Sequence, residues 1–184
     1  RHADQMVRGV CNLPNGTGIV KPLAKFPDRS FDTGICESHA MDMMAGLAKT
    51  GWKPFFAVYS TFLQRAFDQA FQEVSLQNLA VRLLLDRAGL VGGDGAVHHG
   101  FCDIALLRTL PNAAIIAAID EPSLKASIEF MRTHEKGLSA VRYPRDVVSD
   151  RFASLPCPAF ELGRARCLTP DLAASDAEMD VAVL

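Results

Sequence analysis

The residues able to do chemistry in this sequence gather at a few places. Glu37 opens an apolar helical pattern, ESHAMDMMAGLAKT (37–50), where a carboxyl either answers the partial positive charge of a helix start or handles a proton. Tyr59 ends a short apolar run, PFFAVY, and Phe62 follows in YSTFLQRAFDQ; rings placed so either fill a core or offer a flat face to a ligand. Asp86–Arg87 and Tyr143–Arg145 stand just past two further apolar runs. Guanidinium groups from two strand ends can clasp a dianion bidentately, or each can close a local salt bridge, as Asp86 offers Arg87. Asp94 and His98 lie in AGLVGGDGAVHHG (88–100), a glycine-dense loop whose imidazoles are either solvated or exchange protons.

The elements that must position these groups are legible from periodicity. In 37–50, Ala40, Met43, Met44, Leu47 and Ala48 recur at helical spacing, and Gly51 is a stop signal. PFFAVY (54–59), AVRLLL (80–85) and AAIIAAI (113–119) read as strands buried on both faces, and SAVRYPR (139–145) closes the series. Between them, Leu63, Ala66, Phe67, Ala70, Phe71 and Val74 form one helical stripe, and a short helix falls near 101–109. EPSLKASIEFMRTHEKG (121–137) is a helix with Leu124, Ile128 and Met131 inward; a strand near 6–13 and a helix near 17–26 precede the rest. This alternation predicts right-handed crossovers and an α/β three-layer sandwich with a mainly parallel sheet. Such a sheet presents functional residues at the carboxyl ends of its strands, where Tyr59, Asp86–Arg87 and Tyr143–Arg145 all lie.

Composition narrows the function classes. A net charge of −2 over 184 residues gives no general reason to bind a polyanion, so no nucleic-acid partner is expected. No apolar run approaches the roughly 18 residues a bilayer span needs, so no membrane partner is expected either. Five cysteines, odd in number and without a CxxC pair, favour neither a disulfide framework nor a zinc site, and suit a reducing compartment such as the cytosol. Residues 1–148 read as the globular domain and 149–180 as a linker or tail, with Pro156, Pro158, Pro170 and LTPDLAASDAEMD. VAVL (181–184) reads as the first strand of a further domain, and Arg1 where an initiator Met would stand suggests a piece of something longer.

Four stretches, PDRSFDTGICESHAMDMMAGLA, YSTFLQRAFDQ, LDRAGLVGGDGAVHHG and VRYPR, resemble in content and order the central, pyrimidine-binding domain of the 1-deoxy-D-xylulose 5-phosphate synthase family. These are thiamine-diphosphate enzymes of the transketolase superfamily, and the resemblance runs over 13–146. It implies the pyrimidine-domain fold and a share in condensing pyruvate with glyceraldehyde 3-phosphate to deoxyxylulose phosphate and CO2, which feeds isoprenoid and thiamine synthesis. It implies that Glu37 contacts N1′ of the cofactor's aminopyrimidine and shares a proton with it, favouring the tautomer whose exocyclic nitrogen deprotonates the thiazolium carbon. Phe62 is then the ring against the pyrimidine, and Tyr59 reaches the cofactor or the intermediate. Arg87 and Arg145 match the positions that hold the acceptor's phosphate, and Asp94 and His98 those that face the reacting carbonyls, His98 with a proton to move. Arg65 and Arg142 read as structural, Arg65 paired with a carboxylate or a loop carbonyl; His39 reads as turned to the helix interior or to a subunit contact.

Gly93-Asp94-Gly95 imitates the start of the Mg²⁺–diphosphate motif of such enzymes, but Asn112 comes too early to complete it and no second Asn accompanies it. No metal site is therefore expected on this chain; the Mg²⁺ and the diphosphate belong to a separate domain or subunit, and this half is expected to be inactive alone. Relative to the family pattern, Val97 replaces a threonine, Asp146 a glycine, Cys36 and Ser38 flank Glu37 in place of the commoner Ala and Gln, and 168–180 reads as inserted. Two alternatives stay open: a separate transketolase-like or 2-oxo-acid dehydrogenase β-type subunit, and a non-catalytic docking domain that keeps the fold. Superfamily members pair these domains across subunits, which implies a homo-oligomer; a bacterial cytoplasm or plastid stroma is the expected location.

Overall fold

The computed structural model describes residues 6–11, 15–148, 150–152 and 154–168; the tail beyond 168, including 181–184, lies outside them. Six parallel strands form one sheet: β1 (Met6–Val10), β2 (Ser30–Asp32), β3 (Lys53–Tyr59), β4 (Arg82–Asp86), β5 (Ala114–Ala117) and β6 (Ser139–Arg142), in the order β2-β1-β3-β4-β6-β5. β3 is buried at all seven positions, as its unbroken apolar run requires of a central parallel strand. β2 carries only Ser-Phe-Asp and an exposed edge, too short and polar for a periodicity argument to find.

Alternation along the strands sends side chains to two cores. Phe56, Val58, Leu83, Leu85 and Ala140 meet α2 (Glu37–Lys49) and the segment after β3 on one face. Phe55, Val141 and Ile116 meet α5 (Glu121–Thr133) on the other, and Val10 and Ala57 meet Ile19, just before α1 (Val20–Lys25). The sandwich is three layers deep, with every strand pairing parallel.

Two expectations change in detail. The stripe from Leu63 to Val74 is real, with Leu63, Ala66, Ala70 and Val74 fully buried, but it is not one α-helix. A 3₁₀ stretch (Ser60–Ala66), a single turn α3 (Phe67–Gln69) and a π-helical stretch (Ala70–Ser75) share it, adjusting the winding so that the apolar side chains stay on the sheet. In α5 the buried face is Ser123, Ser127 and Met131, with Leu124 partly buried, and Ile128 is exposed. The reason is the helix start: Asp120 accepts from the Ser123 amide at 2.8 Å and Ser123 Oγ accepts from the Asp120 amide at 3.0 Å, a reciprocal cap that turns the serines inward.

Buried cations tie the layers together. Arg82, 1% exposed, donates to the Met131 and His134 carbonyls at the end of α5. Arg142 Nε donates to Asp103 Oδ2 at 2.9 Å, joining β6 to the start of α4 (Asp103–Leu107). Arg166 Nη1 donates to Asp120 Oδ2 at 2.9 Å and its other nitrogens reach the Phe152, Leu155 and Pro156 carbonyls, so the described part of the 149–180 segment lies against the body.

No disulfide joins the cysteines. Cys11 is buried beside Thr33, and burial pushes its thiol up to about 11, with the Thr33 hydrogen bond opposing. Little thiolate then forms near pH 8, so Cys11 should alkylate about a hundredfold more slowly with iodoacetamide than exposed Cys36 and Cys102. Peptide mass mapping of a timed reaction checks this, and equal labelling of Cys11 would refute it.

Candidate functional site

Register assembles the carboxyl ends. Tyr59 of β3 lies opposite Asp86 of β4, and the Tyr143 amide donates to the Leu85 carbonyl at 3.0 Å just past β6. Three strand ends thus set Tyr59, Asp86–Arg87 and Tyr143–Arg145 side by side. The loop 88–100 folds back over them, held by paired amide bonds between Gly89 and Gly100 at 2.8 and 2.9 Å. Gly100 is required at that crossing, because a Cβ there would collide with the Arg87 carbonyl and Ser60 Oγ.

Arg87 follows β4 with φ of 57°, a left-handed conformation uncommon for a residue with a side chain. The turn lets its amide donate to Asp86 Oδ1 at 2.6 Å while Nη1 donates to Asp86 Oδ2 at 2.8 Å and to the Gly16 carbonyl at 2.7 Å. Its guanidinium stands 4.1 Å from the Tyr59 ring centroid. Asp94 completes the set: Oδ2 accepts from Arg87 Nε at 3.3 Å and Oδ1 from Arg145 Nη1 at 2.7 Å. Burial pushes the Asp86 carboxyl up, although Arg87 opposes it, and burial likewise lifts the Tyr59 and Tyr143 phenols. Both phenols are therefore neutral hydroxyls near pH 7.

Beside this cluster the rings are ordered. Tyr59 and Phe62 stack at 5.6 Å with 16° between planes, and His98 stands edge-on to both, at 6.1 and 5.7 Å. His98 Nδ1 lies 2.8 Å from the Asp94 carbonyl, which can only accept, so Nδ1 carries the proton and Nε2 is the acceptor of the neutral ring. His99 is structural: its Nδ1 accepts from the Val91 amide at 3.2 Å and its ring meets Phe101.

Glu37 is the first residue of α2 and 4% exposed. Its Oε2 accepts from Arg65 Nη1 at 3.3 Å, and Arg65 in turn lies 5.7 Å from the Phe62 ring centroid. The carboxylate expected for Arg65 is thus the site's own. A concavity lined by Ile35, Cys36, Ser38, His39 and Arg65 opens at Glu37, and His39 is exposed in it rather than turned inward. A continuous set of contacts runs from Glu37 through Arg65, Phe62 and Tyr59 to Arg87, Asp94 and Arg145.

Chemically this is a buried carboxylate, a flat aromatic pair, an oriented imidazole and two guanidinium forks, a set able to hold a heteroaromatic ring and an anion while exchanging protons. Gly16 is the contributor that sequence reasoning passed over. Its carbonyl holds Arg87, and any Cβ on it would strike the Tyr59 hydroxyl; the glycine-rich LPNGTG was its signal. Asn112 lies at the opposite, amino end of the sheet, its amide 3.3 Å from Asn78 Oδ1. Among the described residues no three His, Cys, Asp or Glu side chains are placed to hold a metal ion, and no helix is long and apolar enough to cross a membrane. Val97 is 75% exposed, and Asp146 is exposed with its own carboxylate bonded to the Val147 amide, so neither departure disturbs a contact in the cluster.

Residues 2–150 match the family described as transketolase, pyrimidine binding domain. The chain belongs to that family. Within it, this pyrimidine-binding domain is 43% identical over 166 residues to 1-deoxy-D-xylulose-5-phosphate synthase of Helicobacter hepaticus, covering 90% of this chain and 26% of that protein. It is 48% identical over 142 residues to the synthase of Thermomicrobium roseum, covering 77% of this chain and 23% of that protein. The domain spans about a quarter of the length of these curated relatives. Among solved structures it is similar to a chain of a split-gene transketolase in an inactive β4 tetramer, with TM-score 0.76, 30% identity, and 90% and 52% of the two chains covered. Transketolase of Pichia stipitis, at 17% identity, TM-score 0.68, and 76% and 22% coverage, shares the fold.

Proposed function

We propose that this domain is the pyrimidine-binding half of a thiamine-diphosphate-dependent synthase that joins pyruvate to glyceraldehyde 3-phosphate, giving 1-deoxy-D-xylulose 5-phosphate and CO2. The observation that carries it is the convergence of Arg87 and Arg145 beside Tyr59, a double guanidinium fork that a phosphate-bearing acceptor needs and an unphosphorylated one does not. The synthases at 43% and 48% identity support the same reading.

The residues fit the cofactor's aminopyrimidine. Glu37 offers a buried carboxyl at a concavity, and the Phe62–Tyr59 stack offers a flat wall beside it. When bound, thiamine diphosphate supplies a nucleophilic carbon and an electron sink for the pair left by decarboxylation. Glu37 holds the proton shared with the ring, and Phe62 orients that ring. In the overall change, pyruvate loses its carboxyl carbon as CO2, its carbonyl carbon bonds to the acceptor's aldehyde carbon, and the aldehyde oxygen takes up a proton. His98, held through Nδ1, handles that proton at Nε2, and the neutral Tyr59 hydroxyl donates to oxygen. The clasp fixes the acceptor's far end, so that its aldehyde stands before these groups. The diphosphate and its Mg²⁺ are assigned to another domain or subunit, this half is inactive without it, and the assembly is a homo-oligomer in a soluble compartment.

A second reading has an observation of its own. The similarity to a split-gene transketolase chain favours a domain working as a separate subunit. One experiment tests the clasp, and the donor separates the two readings. In the assembled enzyme, Arg145→Ala should raise KM for glyceraldehyde 3-phosphate by roughly 10- to 100-fold, the worth of one charge-assisted hydrogen bond, and leave KM for pyruvate unchanged. An unphosphorylated acceptor should be used equally well by both forms. If phosphorylated and unphosphorylated acceptors suffer alike, the phosphate-clasp reading fails; if the assembled enzyme turns over a ketose phosphate donor and not pyruvate, the transketolase-like subunit gains.

A further inference from the structure

The arginine pair already holds an anion, and that anion is part of the chain. Asp94 bridges the two forks, taking Arg87 Nε on one oxygen and Arg145 Nη1 on the other. The two arginines differ in how firmly they stand. Arg87 is 10% exposed and fixed independently by Asp86, by the Gly16 carbonyl and by the Tyr59 ring. Arg145 is 52% exposed and leans on Asp94. The turn carrying Asp94 is lightly packed, since a Cβ at neighbouring Gly93 or Gly95 would meet nothing within 4 Å.

We infer that Asp94 sorts anions at the clasp, its carboxylate keeping singly charged carboxylates out and yielding to a phosphate dianion. The inference rests on the phosphate-clasp reading above. An incoming anion must replace a carboxylate that is covalently tethered beside its partners. Acetate, or the carboxylate of pyruvate, brings the same two oxygens and the same single charge, so the exchange gains nothing and forfeits the tether's advantage. A phosphate monoester brings three acceptor oxygens and close to twice the charge, which strengthens its attraction to each guanidinium in proportion. Asp86 stays with Arg87 throughout, so only Asp94 has to move. The clasp is thereby reserved for the phosphorylated substrate although both substrates are anions.

The test titrates the 184-residue chain with inorganic phosphate and with acetate, at a slightly alkaline pH where phosphate is chiefly the dianion, following backbone amide shifts by NMR. The unaltered chain should bind phosphate at least about tenfold more tightly than acetate. Asp94→Asn, which keeps the shape and removes the charge, should tighten acetate by about tenfold or more and narrow the preference. Arg145→Ala should weaken both anions, which assigns the shifts to the clasp. If phosphate binds the unaltered chain and Arg145→Ala weakens it, yet Asp94→Asn leaves the preference unchanged, the clasp stands and the sorting role of Asp94 is refuted. If phosphate binds none of the forms, the clasp reading fails and this inference falls with it.

Discussion

Glu37→Gln should lower kcat of the assembled enzyme by about 10²- to 10⁴-fold, the range over which a positioned proton-transfer group acts. The substitution keeps the size and the hydrogen-bonding reach of the side chain but replaces a group that can exchange a proton with one that cannot. Its effect on folding is small by comparison. The partner lost is Arg65, whose side chain is 59% exposed and stays solvated, so the ion pair contributes under about 1 kcal/mol. Rate and stability therefore separate: the melting temperature stays within a few degrees while turnover collapses. Arg65→Ala is the companion measurement, and should cost less than about tenfold in rate because water can take over its hydrogen bond. If Glu37→Gln keeps a third or more of wild-type turnover, the carboxyl has no proton role. The domain would then serve an assembly as a docking module that keeps the fold without taking part in the chemistry.

The largest stability effect is expected at a residue outside this chemistry. Asp103 is 1% exposed and accepts from Arg142 Nε at 2.9 Å, from Arg142 Nη2 at 3.3 Å and from the Ile104 amide at 2.9 Å. Removing it strands a guanidinium whose side chain is only 20% exposed and unties α4 from β6. Breaking a fully buried pair costs about 3–5 kcal/mol, and the partial exposure of Arg142 brings the expected loss for Asp103→Ala to about 3 kcal/mol. In urea, with a slope of roughly 1–3 kcal/mol per molar, the midpoint should fall by about 1–3 M. Desolvation works against the intact pair, so deleting both charges is the deciding control. The double variant Asp103→Leu with Arg142→Met should recover more than half of the loss, since no charge is left buried alone. A single variant within about 0.3 M of wild type would mean that the pair contributes nothing measurable.

The fate of individual residues shows which physical signals sequence carries. The strand at 54–59 and the stripe from Leu63 to Val74 are readable because burial on a sheet selects apolar residues at fixed local spacing. The carboxyl-end placement of Tyr59, Arg87 and Arg145 followed from parallel topology, which directs every strand end to one edge. The cluster at that edge was thus legible before any coordinate. β2 was not, because three residues at an exposed edge bury too little to impose a pattern. Spacing alone points Ile128 inward, whereas the reciprocal cap at Asp120 and Ser123 rotates α5 and buries Ser127 instead.

Partners are where the local signal ends. That Arg65 would find a carboxylate is a statement about composition; that the carboxylate is Glu37, 28 residues away, depends on how the 3₁₀ stretch packs against α2. Asp103 carries no sequence cue at all for Arg142, 39 residues on, and the Gly16 carbonyl reaches Arg87 across 71 residues. Asp94 could be placed in a glycine-rich loop from its neighbours, but its position between two arginines needs the loop folded back over three strand ends. Local spacing encodes which faces are buried and in what order the elements run. Long-range pairing of charges is encoded only in the packed whole, because a hydrogen bond between residues distant in sequence leaves no periodic trace in either of them.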